Sequence, residues 1–263
     1  MQNGCLNGLL WVHLLLYMIS TPVKAMRILA IGDIHGCLTA LDTLMAMVNP
    51  QPQDRIITLG DYVDRGPNSK EVINRLIEFH RRGQLVALRG NHEQMMLRAR
   101  WGGSNELYHW LVCGGENTLA SYTKPRQHRS LENIPTQHWN FLENICRDWW
   151  ETTSHFFVHA NAYPNLPLNQ QPERMLFWQK FRNPAPHCSG KTMVCGHTSQ
   201  KSGQPINIGH AICIDTWVYG DGWLTCLDVT TGRIWQANQK GEQQMAWIDD
   251  FETTSPRYRY NFR

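Results

Sequence analysis

The stretch GDYVDRGP, Gly60 to Pro67, follows directly on the apolar run RIITL, Arg55 to Leu59. A surface turn after a strand needs glycine and one Asp or Asn, and has no use for a second Asp and an Arg at fixed offsets. The stretch is therefore both a chain reversal and a set of chemical groups. Two further strand-like runs end the same way: RILAIGD leads into GDIHG (Gly32 to Gly36), and LVALRGN into GNHE (Gly90 to Glu93). The segments between them, LTALDTLMAMV and SKEVINRLIEFHRR, carry apolar residues at helical spacing. There are 24 residues between His35 and Gly60 and 24 between Arg65 and Gly90. Equal spacing marks equivalent βα units, which predicts an α/β fold with a mostly parallel sheet. Each unit delivers its polar loop to the carboxyl edge of that sheet, where α/β proteins build ligand sites.

Downstream of GNHE the pattern changes. EQMMLRAR continues as helix, and Gly102 to Cys146 carries Trp, Leu and Phe at helical spacing between Gly and Pro breaks, which predicts a small helical insertion forming a roof. The aromatic run HWNFLENICRDWW, His138 to Trp150, is expected to pack inside that roof. The apolar period then shortens toward two in HFFVHA (155–160), KTMVCGH (191–197), HAICIDT (210–216), WLTCLDV (223–229) and GRIWQAN (232–238), the last two joined by the turn TTG. These predict strands in antiparallel or mixed pairing. With no repeat, low-complexity tract or linker, residues 26–250 are expected to form one domain, with 1–25 as an N-terminal extension and 251–263 as a tail. The tail's PRYRYNFR is expected to be a solvated terminus.

Composition narrows the function class. A chain of 263 residues with 42% apolar content can bury a sizeable core. Its 25 basic and 22 acidic residues are spread along the sequence without the dense basic blocks of nucleic-acid binders. The eight cysteines form no CxxC pair and no regular spacing, so they are expected to be mostly reduced core thiols in a cytoplasmic protein. GLLWVHLLLYMI, Gly8 to Ile19, is apolar but shorter than the roughly 20 residues that span a bilayer, and no stable membrane association is expected. No Lys or Arg precedes it, although Val23-Lys24-Ala25 resembles a small-residue cleavage site. A strand beginning at Met26 makes Met26 an alternative start.

Two of the later strands add FVHA with His159 and CGHT with His197. Asp, His, Asp, Asn, His and His can then converge on one place. Oxygen and nitrogen ligands without sulfur suit Mn²⁺, Fe²⁺ or Zn²⁺. One ion needs fewer ligands than this, whereas two ions about 3.5–4 Å apart, sharing a carboxylate, use this many and form the arrangement that activates water beside a phosphoryl group.

GDIHG, GDYVDRG and GNHE, followed by separate His-bearing strands, resemble the phosphoprotein phosphatase family of metallophosphoesterases, in particular its small bacterial and phage-type serine/threonine protein phosphatases. The resemblance covers about Arg27 to Val229. It implies a sandwich of two mixed β-sheets flanked by helices, two divalent metal ions with Mn²⁺ foremost and Fe or Zn as alternatives, and a phosphorylated protein or peptide as substrate. Carried over by motif, Asp33 and His35 would bind the first ion, Asp61 would bridge, and Asn91, His159 and His197 would complete the second site. His92 would be the general acid, Asp64 its partner and Arg65 the phosphate clamp, with Asn91 also on the substrate side. Where the family places a second phosphate-binding arginine, two residues after a Trp, FWQKFR has Lys180, with Arg182 close by. A lysine supplies charge without the bidentate fork. The SAPNY-type segment of the long eukaryotic members is absent. Symmetrical diadenosine tetraphosphate hydrolases share the motif set but typically lack the Asp of VDRG, which is Asp64 here. A non-catalytic metal-binding scaffold is the third reading, and the full ligand set speaks against it. His109, His187 and His210 lack such company and are expected to be structural or surface residues.

Overall fold

The computed structural model describes residues 26–252. The expectations for residues 1–25 and for PRYRYNFR lie outside the described residues.

Strands β1 (Ile28–Ile31), β2 (Arg55–Thr58) and β3 (Leu85–Ala87) pair in parallel in that order. Parallel neighbours need crossover connections, supplied by helices α1 (Leu38–Val48) and α2 (Ser69–Arg81). Helix α2 buries Val72, Ile73, Leu76 and Ile77 along one stripe, while Arg75, Glu78 and Arg82 form ion pairs on the other side. Helix α3 (Asn91–Trp101) follows β3. The predicted insertion then forms as α4 (Ser104–Trp110), a π-helical turn (Leu111–Gly115), α5 (Glu116–Tyr122), α6 (Thr136–Asn140) and a second π-helical turn (Phe141–Ile145). Its Trp110, Leu119, Tyr122, Trp139 and Phe141 share one buried cluster with α1 and α2.

The C-terminal strands divide between two sheets. Strands β4 (Trp149–Glu151), β5 (His155–Val158), β6 (Thr192–Cys195), β7 (Ile206–Asn207) and β8 (Ala211–Cys213) form a second sheet in the order β4-β5-β6-β8-β7. Its centre, β5, β6 and β8, is parallel, and β4 and β7 are antiparallel edges. The short helix α7 (Glu173–Trp178) lies in the connection from β5 to β6. The chain then returns to the first sheet, where β9 (Leu224–Asp228) pairs antiparallel with β1, followed by β10 (Arg233–Ala237) and β11 (Gln243–Trp247). The fold is therefore two mixed sheets flanked by helices.

Alternation along the strands builds three layers. Ala30, Ile57, Phe157, Val194, Ile212 and Leu227 face each other between the sheets. Their neighbours Leu29, Ile31 and Ile56 pack on α1 and α2, and Phe156, Val158 and Met193 pack outward with Leu176 and Phe177. Each fully buried aliphatic or aromatic side chain contributes about 1.5–3 kcal/mol of transfer free energy, so a one-residue slip that exchanged the faces is strongly opposed.

Two elements differ from the sequence expectation. Trp149 and Trp150 leave the roof and form the edge strand β4, with the Trp150 ring 6.0 Å from that of Phe157. Strand β11, QQMAW, is largely exposed and lacks the buried alternation that reveals a strand. The seven described cysteines are free, and five of them (Cys37, Cys146, Cys195, Cys213 and Cys226) are buried. No described helix is long and apolar enough to cross a membrane.

Candidate active site

The carboxyl ends of parallel strands from both sheets meet at one edge. Asp33 and His35 follow β1, Asp61 to Arg65 follow β2, Asn91 to Glu93 follow β3, His159 follows β5, His197 follows β6 and Asp215 follows β8. All of these except Arg65 are buried. The glycines of the motifs do part of the turning: Gly60 has φ +99°, and a Cβ there would lie 2.6 Å from the Gly90 nitrogen. The functional residues themselves carry the rest. His35, Asp61, Asp64, Arg65 and His197 all have φ between 45° and 72°. Left-handed backbone at non-glycine residues is uncommon and costs of order 1–3 kcal/mol each, and it persists where the surroundings over-determine it.

One carboxylate holds the GDYVDRG loop in that shape. Glu93, fully buried, accepts the backbone N–H groups of Asp61 (2.8 Å), Gly90 (2.8 Å), Tyr62 (2.7 Å) and Val63 (3.3 Å). The backbone carbonyl of Asp61 in turn accepts from Ile34 (3.0 Å) and His35 (2.8 Å), joining the loops after β1 and β2.

Three imidazoles lie around the Asp61 carboxylate. Each has its far nitrogen committed to a backbone carbonyl: His35 Nδ1 to Val63 (2.9 Å), His159 Nδ1 to Leu59 (2.8 Å) and His197 Nε2 to Trp178 (3.2 Å). Burial pushes the pKa of all three down, that of His197 to about 3, so they are neutral and the inner nitrogens are acceptors. His35 Nε2 lies 3.5 Å from Asp61 Oδ2, and His159 Nε2 lies 3.5 Å from Asp61 Oδ1. Asn91 Oδ1 lies 2.9 Å from both His159 Nε2 and His197 Nδ1. Asp61, His35 and His92 form one compact group of candidate ligands, and Asp61, His159 and His197 form a second.

This donor set fits divalent cations. Acceptors with their outer nitrogens fixed by carbonyls are the arrangement of metal-ligating histidines. Burial and the carboxylates of Asp215 and Asp61 push Asp33 well above the carboxylate range, which marks an anionic pocket calling for positive charge. Asp33 itself accepts the His197 N–H at 3.0–3.1 Å.

Beside these groups, His92 Nδ1 lies 2.7 Å from Asp64 Oδ2. Burial works against the imidazolium, but Asp61 and Asp64 outweigh it and raise the His92 pKa. The Arg65 guanidinium stacks on the Tyr219 ring, 4.4 Å from its centroid, and donates to His35 Nε2 at 2.8 Å. Lys180 Nζ donates to the His197 carbonyl at 3.1 Å, at the other side of the group. Arg182 is exposed and, among the described residues, makes no hydrogen bond to this group.

The sequence model of the calcineurin-like phosphoesterases matches residues 26–201. The chain belongs to the calcineurin-like phosphoesterase family. Among relatives, it is 39% identical over 157 residues to serine/threonine-protein phosphatase 1 of Salmonella typhimurium, covering 58% of this chain and 68% of that one. It is 26% identical over 222 residues to the asymmetrical bis(5'-nucleosyl)-tetraphosphatase PrpE of Oceanobacillus iheyensis, covering 73% and 84% of the two chains. It is 41% identical over 73 residues to a symmetrical bis(5'-nucleosyl)-tetraphosphatase of Pseudomonas syringae, covering 27% of this chain and 24% of that protein. Solved structures with the same fold include a protein-tyrosine phosphatase of a Shewanella species (TM-score 0.59, 16% identity, 84% and 80% coverage). A serine/threonine phosphatase from Saccharomyces cerevisiae also matches (TM-score 0.54, 16% identity, 88% and 81% coverage).

The candidate site also contains residues that no sequence motif singles out. Trp110 Nε1 donates to both oxygens of Asp64 at 3.0 Å, and Thr118 Oγ1 donates to Asp64 Oδ1 at 2.7 Å, so the roof fixes the partner of His92. Gly114, with φ +116°, offers its carbonyl to the Arg65 N–H at 3.3 Å. Asp215, held by Ser199 Oγ at 2.6 Å, completes the third strand end of the second sheet. Its signal was the strand-then-Asp pattern of HAICIDT, which repeats that of RILAIGD. His187 and His210 bond to the carbonyls of Leu166 and Pro184, as structural histidines do.

Proposed function

We propose that this metallophosphoesterase is a phosphomonoesterase acting on phosphoserine and phosphothreonine of proteins or peptides. The observation that carries this reading is the buried His92–Asp64 pair beside the Asp61 carboxylate and its two groups of nitrogen ligands. Asp33, His35, Asp61 and His92's neighbour Asn91, with His159 and His197, would hold two divalent ions; the oxygen and nitrogen set suits Mn²⁺, Fe²⁺ and Zn²⁺, and the family resemblance puts Mn²⁺ foremost. Bound there, the ions supply Lewis-acid polarisation of the phosphoryl group and a water of lowered pKa.

The chain's own residues do the rest. Arg65 holds two phosphoryl oxygens with a guanidinium whose plane is set by Tyr219, and Lys180 adds a second, more mobile positive charge. His92 presents a proton at Nε2 to the leaving oxygen as the P–O bond to serine or threonine breaks and the bond to the water oxygen forms. Asp64 keeps the Nδ1 proton in place and the imidazolium populated. The match to the Salmonella phosphatase over 68% of its length supports the protein substrate.

The relatives named as tetraphosphatases support a second reading, hydrolysis of dinucleoside tetraphosphates. Purified protein with and without Mn²⁺, given phosphopeptide and diadenosine tetraphosphate in competition, tests the two. Higher kcat/KM on the phosphopeptide is expected, and preferential turnover of the dinucleotide rejects the protein-phosphatase assignment.

A further inference from the structure

Beside the roof lies a cavity of about 600 Å³ whose walls include Lys70, Tyr122, Lys124, Arg126, Gln127 and Asn133, with no carboxylate among them. Lys124 and Arg126 are exposed and Lys70 is half-buried. Several other arginines, Arg75, Arg82, Arg89, Arg98 and Arg100, each contact a carboxylate. Among the described residues, Lys70, Lys124 and Arg126 form no ion pair. The wall is also pre-shaped. Gln127 Oε1 accepts the Lys124 N–H at 3.2 Å, Gln127 Nε2 donates to Asn133 Oδ1 at 2.5 Å, and Asn133 Nδ2 donates to the His128 carbonyl at 2.8 Å. Three cations around one cavity, with no anion among them, repel one another and favour an anionic occupant.

The cavity is tied to the phosphate end of the candidate site. Lys70 follows Ser69, whose Oγ accepts the Asp64 N–H at 3.2 Å. The Lys70 N–H donates to Ser121 Oγ of α5 at 3.2 Å. At the other end of α5, Asn117 donates to the Arg65 carbonyl, and Tyr122 at its close lines the cavity. A helical rise of 1.5 Å per residue separates Asn117 from Tyr122 by about 7–8 Å, which an extended peptide covers in two or three residues.

We propose that this cavity binds acidic side chains of the substrate, so that the enzyme favours phosphoserine or phosphothreonine with Asp or Glu two to four residues away on one side. The inference rests on the protein-phosphatase reading for its catalytic consequence. Its physical content, a site for acidic peptide, does not depend on that reading.

The test uses the full chain and the variant K70Q/K124Q/R126Q, with phosphopeptides carrying Asp in place of Ala at single positions on either side of phosphothreonine. For the parent, about tenfold higher kcat/KM is expected for Asp at the favoured positions, expressed mainly in KM and weakened by salt. The variant should lose this preference while hydrolysing an aryl phosphate at the parental rate. An unchanged preference in the variant, or no preference in the parent, overturns the proposal. Anisotropy with a fluorescent, unphosphorylated glutamate-rich peptide gives a readout independent of turnover, with binding at least fivefold weaker in the variant expected. Equal affinity overturns the cavity assignment, whereas aryl phosphate turnover without any phosphopeptide turnover rejects only the protein-phosphatase reading.

Discussion

His92 Nδ1 and Asp64 Oδ2 lie 2.7 Å apart, both side chains buried, and the same carboxylate receives Trp110 and Thr118 from the roof. A histidine so held presents its other nitrogen in one direction. His92→Asn should keep the metal content and lower kcat by about 10²–10⁴ on an alkyl phosphate, with a smaller loss on an aryl phosphate whose leaving group needs less protonation. Equal losses on the two substrates would count against proton donation by His92.

In the proposed mechanism Asp64 acts on the reaction through His92. The charges of Asp61 and Asp64 outweigh burial and raise the His92 pKa, so the proton-donating form persists to higher pH than for an ordinary imidazole. Asp64→Asn removes one of these charges, lowering that pKa, and the alkaline limb of the kcat profile should move to lower pH. An alkaline limb that stays in place while kcat falls would assign Asp64 a merely structural part.

Asp61 stands in both groups of candidate ligands. Asp61→Asn removes the charge that offsets the repulsion of two cations, so both metal occupancy and turnover should collapse. Elemental analysis showing two metals per chain in this variant would reject the bridging role.

Lys180 hydrogen-bonds to the His197 carbonyl, whereas among the described residues Arg182 makes no hydrogen bond to the candidate site. Lys180→Ala should reduce kcat/KM on phosphopeptide by about 10–10²-fold, as expected for one lost charge-assisted hydrogen bond of about 1.5–3 kcal/mol, and Arg182→Ala should be nearly silent. The reverse ranking would place the second phosphate clamp at Arg182.

Glu93 gathers four backbone N–H groups of the loops after β2 and β3. Glu93→Gln turns an NH₂ donor toward two of them, leaving buried donors unpaired at about 1–3 kcal/mol each, so Tm should fall by about 5–15 °C. A Tm within about 2 °C of the parent would show that the left-handed backbone at Asp61 and Asp64 holds itself without this carboxylate.

Local pattern carried much of the molecule. RIITLGD, RILAIGD and LVALRGN announced β2, β1 and β3 because alternation and turn chemistry are short-range properties, and equal spacing then placed Asp33, Asp61 and Asn91 on one edge. The family resemblance assigns His159 and His197 to the same site from sequence alone. What sequence left open was long-range. Which sheet each C-terminal strand joins depends on the register of β9 against β1 and of β6 against β8, pairings that the segments alone do not encode. The contact of Lys180 with the His197 carbonyl, the grip of Trp110 and Thr118 on Asp64, and the bond of Ser199 to Asp215 join residues 17, 46, 54 and 16 positions apart in the chain, brought together by the packing of the two sheets and the roof. Strand period and motif spacing fix what a segment is and which residues share an edge. Only the packing of sheet on sheet, with its burial and hydrogen bonding, decides which of those residues touch.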